Sequence, residues 1–551
     1  MTPQTVLIGL DGATFTVLDA LRQEGVMPCL GEFMASGVRA ELRTVIPALT
    51  PPAWTSLVTG RSPGQHGIFD FFRKESPQSH ALRLVTSRDM VGGEPIWSLA
   101  HRHGRRAIVL NFPVTFPAPH IDGYVVPGWM PWRQLRLGCH PVDLYDRLKK
   151  LPGFNPRELA MDMALEEKAL EGCAPDEYAD WIALHVRREQ RWLQILERLL
   201  DEADACELVA ILFDGVDKLQ HLLWRFVDPA YAPLLRSPEE RRVREGCLDY
   251  YRQLDDILAR IVHLAGPEAT VIIASDHGFG PQVRTFFVNA WLAQRGYLAW
   301  ASGNGPHPSE KQLLGIGQIA RHGYLLDWGR TQAYAPLPSG NGIHIVRADD
   351  EHPGGVSAAD YERLRDQIVA ELRALRDPDS GDPVVAGVWK REEIFAGPCL
   401  ELAPDLTLVL QDGGLISILA SEVAVRPRPQ PSGAHRPEGI FIARGPALRS
   451  GVRLAPLSIL DIAPLILYSL GLPIPGDLEG KVPIAALDPA VLQARPVEVA
   501  APPSVGGGLA PALVERLRSQ PEPGLDVEDP LQRAEAETEI LGRLRSLGYI
   551  E

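Results

Sequence analysis

Four near-continuous apolar runs organise the chain: TVLIGL (5–10), AIVLNF (107–112), LVAILF (208–213) and TVIIAS (270–275). They are short, bounded and without polar alternation. Such runs predict strands covered on both faces, as in a mostly parallel sheet. Longer helical patterns separate them. One spans 181–200. In the other, 241–264, Val243, Cys247, Tyr250, Leu254, Leu258 and Val262 recur near helical spacing. This order of strand and helix predicts an α/β fold with a mostly parallel central sheet.

Two long stretches interrupt the pattern. Residues 113–180 are rich in Pro, Trp and Gly and read as an insertion. Residues 298–430 carry Gly/Pro clusters, a helix near 361–376 and a strand at 406–410, which predicts an inserted cap. The core is then 1–297 with 431–485. The tail, 486–551, reads as a flexible linker at 488–511 followed by a helical pattern at 529–547. The most apolar late stretch, 454–475, holds Asp461 and Pro464, so it predicts a buried helix and no membrane span.

Composition narrows the function. Hydrophobic residues make up 45%, enough for a sizeable core. Lys plus Arg is 55 and Asp plus Glu 70, a net charge of −15, which argues against a general nucleic-acid or anionic-membrane surface. An anionic substrate then needs a locally positive pocket, which bound cations supply. The 6 cysteines lie far apart and form no CxxC pair, as expected of ordinary buried thiols in a reducing compartment. The amino-terminal MTPQTVLIGLDG lacks the pattern of a secretory leader. These features predict a cytoplasmic protein; they do not give its oligomeric state.

The chemistry gathers at a few segments. Asp11 ends the first predicted strand, and Asp276 and His277 end another; in open α/β sheets ligands collect at the carboxyl ends of strands. Taken alone, each is also an ordinary turn next to glycine. Asp217 and His221 are four apart, which on a helix places both on one face within reach of one metal. Asp214 competes as a ligand but has no partner at helical spacing. His435 sits in PSGAHRPEG, a predicted loop with Gly433 and Gly439 nearby. His66, in SPGQHGI, reads as a packed or hydrogen-bonding histidine rather than a ligand. Thr50 precedes Pro51 and Pro52 at the start of a helix predicted near Ala53. It fits a plain helix cap, or a hydroxyl nucleophile once a metal or base activates it. A mixed Asp/His set suits zinc, and manganese tolerates the same mixture.

In this order the segments resemble the type I phosphodiesterase/nucleotide pyrophosphatase branch of the alkaline phosphatase superfamily. The matching pieces are LDG with Asp11, TPPAWTSLVTG with Thr50, DKLQH with Asp217 and His221, SDHG with Asp276 and His277, and GAH with His435. The resemblance spans roughly 5–480 and looks closest to bacterial cytosolic members described as phosphohydrolases or phosphomutases. It implies an alkaline-phosphatase-like α/β/α sandwich with an inserted cap. It also implies two divalent cations, zinc or else manganese. One would be held by Asp217, His221 and His435, the other by Asp11, Asp276, His277 and the Thr50 oxygen. Thr50 would attack phosphorus and form a phosphothreonine.

One departure matters. Nucleotide pyrophosphatases carry an asparagine a few residues past HGI that helps bind the phosphoryl group. Here Phe71 stands in that position, with Arg73 and Lys74 nearby as candidate replacements or as plain surface charges. The expected activity is hydrolysis of a small phosphorylated substrate, a diester before a monoester. A phosphomonoesterase, phosphonate hydrolase or phosphomutase is the alternative on the same metals, and a non-catalytic binding protein is the alternative in another class. A sulfatase is disfavoured, because Thr50 cannot become formylglycine.

Overall fold

The computed structural model describes residues 2–74, 82–160, 175–203, 205–301, 325–337, 339–349, 352 and 354–501. These fall into two compact units. The first comprises 2–68, 86–279 and 435–501; the second comprises 69–85 and 280–434.

The first unit is built on the predicted strands. Thr5–Leu10 lies between Leu208–Phe213 and Thr270–Ala274, parallel to both. Ala107–Leu110 follows beside Leu208–Phe213, and Gly123–Val126 closes that edge, again in parallel. Gly123–Val126 falls inside 113–180, expected as an insertion, so part of that stretch is a strand of the main sheet. On the other side Glu438–Arg444 runs antiparallel to both Thr270–Ala274 and Val38–Arg43. These two strands carry charges among their apolar residues, and the apolar-run signal passes over them.

Helices cover both faces. Leu7, Ala210, Leu212 and Ile272 share a core with Trp54, Leu57, Ile96 and Ile466, which come from the helices Thr50–Thr59, Ile96–Arg102 and Ile462–Ser469. The alternate residues Val6, Ile8, Val209 and Ile211 are equally buried, and the helix Pro175–Glu202 packs against Leu208–Phe213. Burial on both faces is why these strands read as unbroken apolar runs. The second long helix, Pro238–Ala265, starts at a capping box of Ser237 and Glu240 with a proline at its first turn. In 454–475 the buried helix is only Ile462–Ser469. Among the described residues no helix is long and apolar enough to cross a membrane.

The second unit holds an antiparallel sheet in the order Ala333–Tyr334, Gly342–Ile345, Leu406–Leu410, Val385–Lys390, with the helix Tyr361–Ala374 packed on Val385–Lys390. A hairpin pairs Phe72–Lys74 with Leu82–Leu84 and sets Arg73 directly opposite Arg83. The Lys74 side chain lies outside the described residues, as does the helical pattern at 529–547. In the stretch read as a linker, 488–501 instead forms the short helix Pro489–Ala494, and Val499–Ala500 pairs with Ile474–Pro475.

Register fixes what matters next. Leu10 is level with Phe213, and Gly9 with Ala274. Asp11, Asp214 and Asp276 therefore leave the sheet at the carboxyl ends of neighbouring parallel strands.

Candidate metal centre

Asp11 follows the first strand directly, its amide donating to the Phe213 carbonyl (3.0 Å). The next residue, Gly12, has φ +66°, and a Cβ there would sit 2.7 Å from the Phe279 ring and 3.2 Å from Asp217 Cβ. Only glycine lets the chain turn this close to a second acid. The Gly12 amide donates to Asp276 Oδ1 (3.1 Å), and Gln220 donates to the Gly12 carbonyl (2.8 Å). Ser275 ties the neighbouring strand end down by donating to the Ala13 carbonyl and accepting from the Ile440 amide.

Asp217 and His221 lie on the helix Gly215–Val227, one turn apart as their spacing predicts. His435 is not in a loop. It lies near the end of the long strand Val425–Arg436, whose prolines hide its extended character; a two-stranded ribbon leaves it edges where proline is tolerated. His435 Nδ1 donates to the Ala48 carbonyl (2.8 Å), which leaves Nε2 with its lone pair.

These residues meet. His435 Nε2 is 3.0 Å from His221 Nε2 and 3.2 Å from Asp217 Oδ1, and His221 Nε2 is 3.5 Å from Asp217 Oδ1. Metal–ligand bonds of about 2.0–2.1 Å in tetrahedral arrangement put donor atoms about 3.3–3.4 Å apart. The triangle fits one cation. Beside it, His277 Nε2 lies 3.2 Å from Asp276 Oδ2 and 3.6 Å from Asp11 Oδ1. His277 Nδ1 donates to the Gly278 carbonyl (3.2 Å), again directing the Nε2 lone pair inward. The His277 and His435 rings stack at 3.6 Å, so the two groups adjoin, and His277 also lies close enough to Asp217 and His435 to share a cation with them. Phe279 packs against His221 (4.8 Å) and His435 (5.1 Å) as an apolar wall.

The electrostatics call for positive charge. Asp11, Asp217 and Asp276 are at most 1% exposed. Burial raises the Asp11 and Asp276 carboxyls well above the usual range, and the neighbouring acids add to it. Burial also works on Asp217, but His221 and His435 outweigh it and hold that carboxyl low. Burial depresses His277 and His435. Asp11 Oδ1, Asp276 Oδ2 and His277 Nε2 are buried and make no hydrogen bond among the described residues. Gathering such acceptors away from water is costly unless a cation joins them.

Thr50 is fully buried and is itself the first residue of the helix Thr50–Thr59, three residues earlier than the start predicted near Ala53. The helix neighbours tie it to the centre on both sides: Ala48 holds His435, and Trp54, one turn on, donates from Nε1 to Asp11 Oδ2 (3.1 Å). Asp214, the competing ligand, pairs with the buried Lys218 at 2.8 Å. His66 lies apart from the cluster. It accepts from the Ile68 amide at Nδ1, hydrogen-bonds Ser56 through Nε2 (2.9 Å), and is pushed down to about 3 by burial.

A family model for type I phosphodiesterase/nucleotide pyrophosphatase matches residues 5–435. The chain belongs to this family. Among solved structures, murine ectonucleotide pyrophosphatase/phosphodiesterase 5, an inactive variant in complex with AMP, is similar with 16% identity over 85% of this chain and 95% of that one, at TM-score 0.49. Phosphonoacetate hydrolase from Sinorhizobium meliloti 1021, in complex with phosphonoformate, is similar with 18% identity over 85% and 96%, at TM-score 0.48. No curated protein matches. The family is one of phosphoester hydrolases, and the Asp/His cluster lies within the matched residues of this type I phosphodiesterase-family chain.

Some supporting residues carry no motif. Glu189, on the helix Pro175–Glu202, accepts through Oε1 from the Gly215 amide (3.1 Å) and the Tyr250 hydroxyl (2.6 Å), anchoring the start of the helix that bears Asp217 and His221. Burial, with Asp214 adding to it, pushes its carboxyl up to about 8 against those hydrogen bonds. An unfolded glutamate titrates near 4.3. The folded state therefore holds this proton more tightly. The stability it contributes is fully present below about pH 4 and lost as pH rises through about 8. Glu189→Gln keeps the acceptor oxygen and removes the ionisation. Its melting temperature should exceed that of the wild type by a margin that grows from about pH 5 to about pH 8.5. A margin independent of pH would mean that Glu189 is ionised throughout.

Proposed function

We propose that the chain is a two-metal phosphoester hydrolase that prefers diesters and works through Thr50. What carries this reading is the convergence of Asp11, Asp276 and His277 with Asp217, His221 and His435 in one buried cluster next to the helix that Thr50 begins. Asp217, His221 and His435 would hold one divalent cation, and Asp11, Asp276, His277 and the Thr50 oxygen the other. Bound there, the cations would lower the pKa of the attacking hydroxyl and neutralise charge on the phosphoryl oxygens. The two imidazoles of the first group favour zinc; the carboxylate-rich second group also suits manganese.

Thr50 Oγ gives up its proton and attacks phosphorus as the bond to the leaving alcohol breaks, giving a phosphothreonine that keeps the other ester group; the departing alkoxide takes up the proton. Water then cleaves the Oγ–P bond, releasing the phosphate monoester and restoring the hydroxyl. Phe71 offers no donor where nucleotide pyrophosphatases carry asparagine, so nucleotide specificity is not part of the proposal. Arg73, across from Arg83, is the candidate cation for a substrate anion, with Lys74 beside it in sequence. The substrate is a small phosphorylated molecule. We assign the protein to the cytoplasm, on the free thiols at Cys29, Cys139, Cys206, Cys247 and Cys399.

The test is a screen of zinc- and manganese-reconstituted protein on aryl phosphate diesters, monoesters, phosphonates and sulfates. Diester turnover should exceed the rest. Preference for a monoester or phosphonate would move the assignment to a phosphomonoesterase, phosphonate hydrolase or phosphomutase. No turnover by protein that holds two metals would leave a binding protein.

A further inference from the structure

We propose that Trp54 is a positioning residue, whose indole N–H fixes which oxygen of Asp11 faces the metal and ties that oxygen to the helix that Thr50 begins. The inference rests on the two-metal reading above. Asp11 has two oxygens with different surroundings. Oδ2 accepts from Trp54 Nε1 at 3.1 Å; Oδ1 makes no hydrogen bond among the described residues and lies 3.6 Å from His277 Nε2. Occupying one oxygen orients the carboxylate and leaves the other for the cation, as partners behind metal ligands commonly do.

The indole is held in a built slot. Trp54 is 1% exposed, and its ring meets Phe112 edge-on at 5.4 Å. On the other side it lies against the first strand at Gly9, two residues before Asp11. A Cβ at Gly9 would be 2.7 Å from Trp54 Cη2, and 2.7 Å from Leu212 Cδ1 as well. The strand therefore gives up a side chain where the ring passes. Burial alone does not account for the bond to Asp11. Trp97 and Trp192 are 2% and 1% exposed, and their indole N–H groups make no hydrogen bond among the described residues. Among the described residues these two buried indoles go without a partner, yet the one on the Thr50 helix is aimed at a metal-centre acid. Thr50 and Trp54 are four apart on that helix, so they share a face. The same side chain thus sets the Asp11 oxygen and the distance from the nucleophile's helix to the carboxylate.

Two substitutions at position 54 test this. Trp54→Phe removes the N–H and part of the ring. The benzothiophene analogue of tryptophan, introduced at position 54, keeps the ring shape and lacks only the N–H. Zinc affinity is read by competition with a chromophoric chelator, melting temperature is read on metal-free protein, and kcat and KM are read at saturating zinc. For the analogue the metal-free melting temperature should stay near that of the wild type. One of the two zinc sites should weaken about 10–100-fold, with the other unchanged. At saturating zinc kcat should remain low while KM moves little. Wild-type zinc affinity at both sites in the analogue would overturn the proposal, as would a loss confined to melting temperature in both variants. Wild-type protein that itself binds fewer than two zinc ions would instead overturn the two-metal reading, so the two failures are distinguishable.

Discussion

Thr50→Ala should abolish turnover, lowering kcat by about 10⁴–10⁶-fold, the scale seen when a hydroxyl nucleophile is removed from machinery that otherwise stays intact. The expectation follows from position. Thr50 is fully buried, and the residues tied to the metal centre on either side of it, Ala48 and Trp54, contact His435 and Asp11 through groups the substitution leaves alone. Alanine suits the first turn of a helix, so the fold should lose no more than about 1–2 kcal/mol. Asp11, Asp276 and His277 remain to bind the second cation, and metal content should change little. Thr50→Ser, which keeps the hydroxyl, should recover much of the rate. Acid-quenched wild-type protein, caught during turnover of a diester, should carry on Thr50 the phosphoryl group with its remaining ester substituent. Full activity in Thr50→Ala would remove this residue from the reaction whatever the metal content.

Much of the fold was legible in the sequence, because strands buried on both faces read as unbroken apolar runs. A polar residue at the end of such a run stands out, which is how Asp11 and Asp276 could be found. The four-residue spacing of Asp217 and His221 survives into the helix Gly215–Val227 unchanged. His435 was found by its motif while its surroundings were misread: Arg-Pro-Arg-Pro looks like a loop, yet Val425–Arg436 is a strand. The strands Val38–Arg43 and Glu438–Arg444 escaped because their charged residues break the apolar run. What could not be read is contact across long sequence distance. The bonds from Trp54 to Asp11 and from Glu189 to Gly215 join residues whose own neighbourhoods look like ordinary helix. Tertiary packing alone brings an indole and a carboxyl at those positions to the Asp/His cluster and to the helix that bears part of it.

His435→Ala should reduce bound zinc from two equivalents to one and lower kcat by more than about 10²-fold, since ligand loss should cost at least what losing a partner behind a ligand costs. His435 Nε2 is joined at 3.0 Å to His221 and at 3.2 Å to Asp217, so its removal leaves that cation two protein ligands, while Asp11, Asp276 and His277 keep theirs. Unchanged zinc content would take His435 out of the ligand set. The same geometry predicts how chelation alters stability with pH. Without cations Asp11 and Asp276 are raised carboxyls, so the stability they contribute is present below the unfolded value and lost as pH climbs through their folded values. Asp217 is held low, so above the unfolded range near pH 4 it is ionised in both states and adds no further slope. Cation binding needs these groups deprotonated, so affinity rises with pH. At a zinc concentration 1,000 times Kd each site adds about 4 kcal/mol to the folded state. The gap in melting temperature between zinc-loaded and chelated protein should therefore widen as pH rises above the unfolded carboxylate range near pH 4. Mass action alone gives a gap; its growth with pH requires the buried acids to surrender protons to the metal. A gap that stays constant would mean that Asp11 and Asp276 are already ionised in the metal-free fold and that something other than a divalent cation balances them.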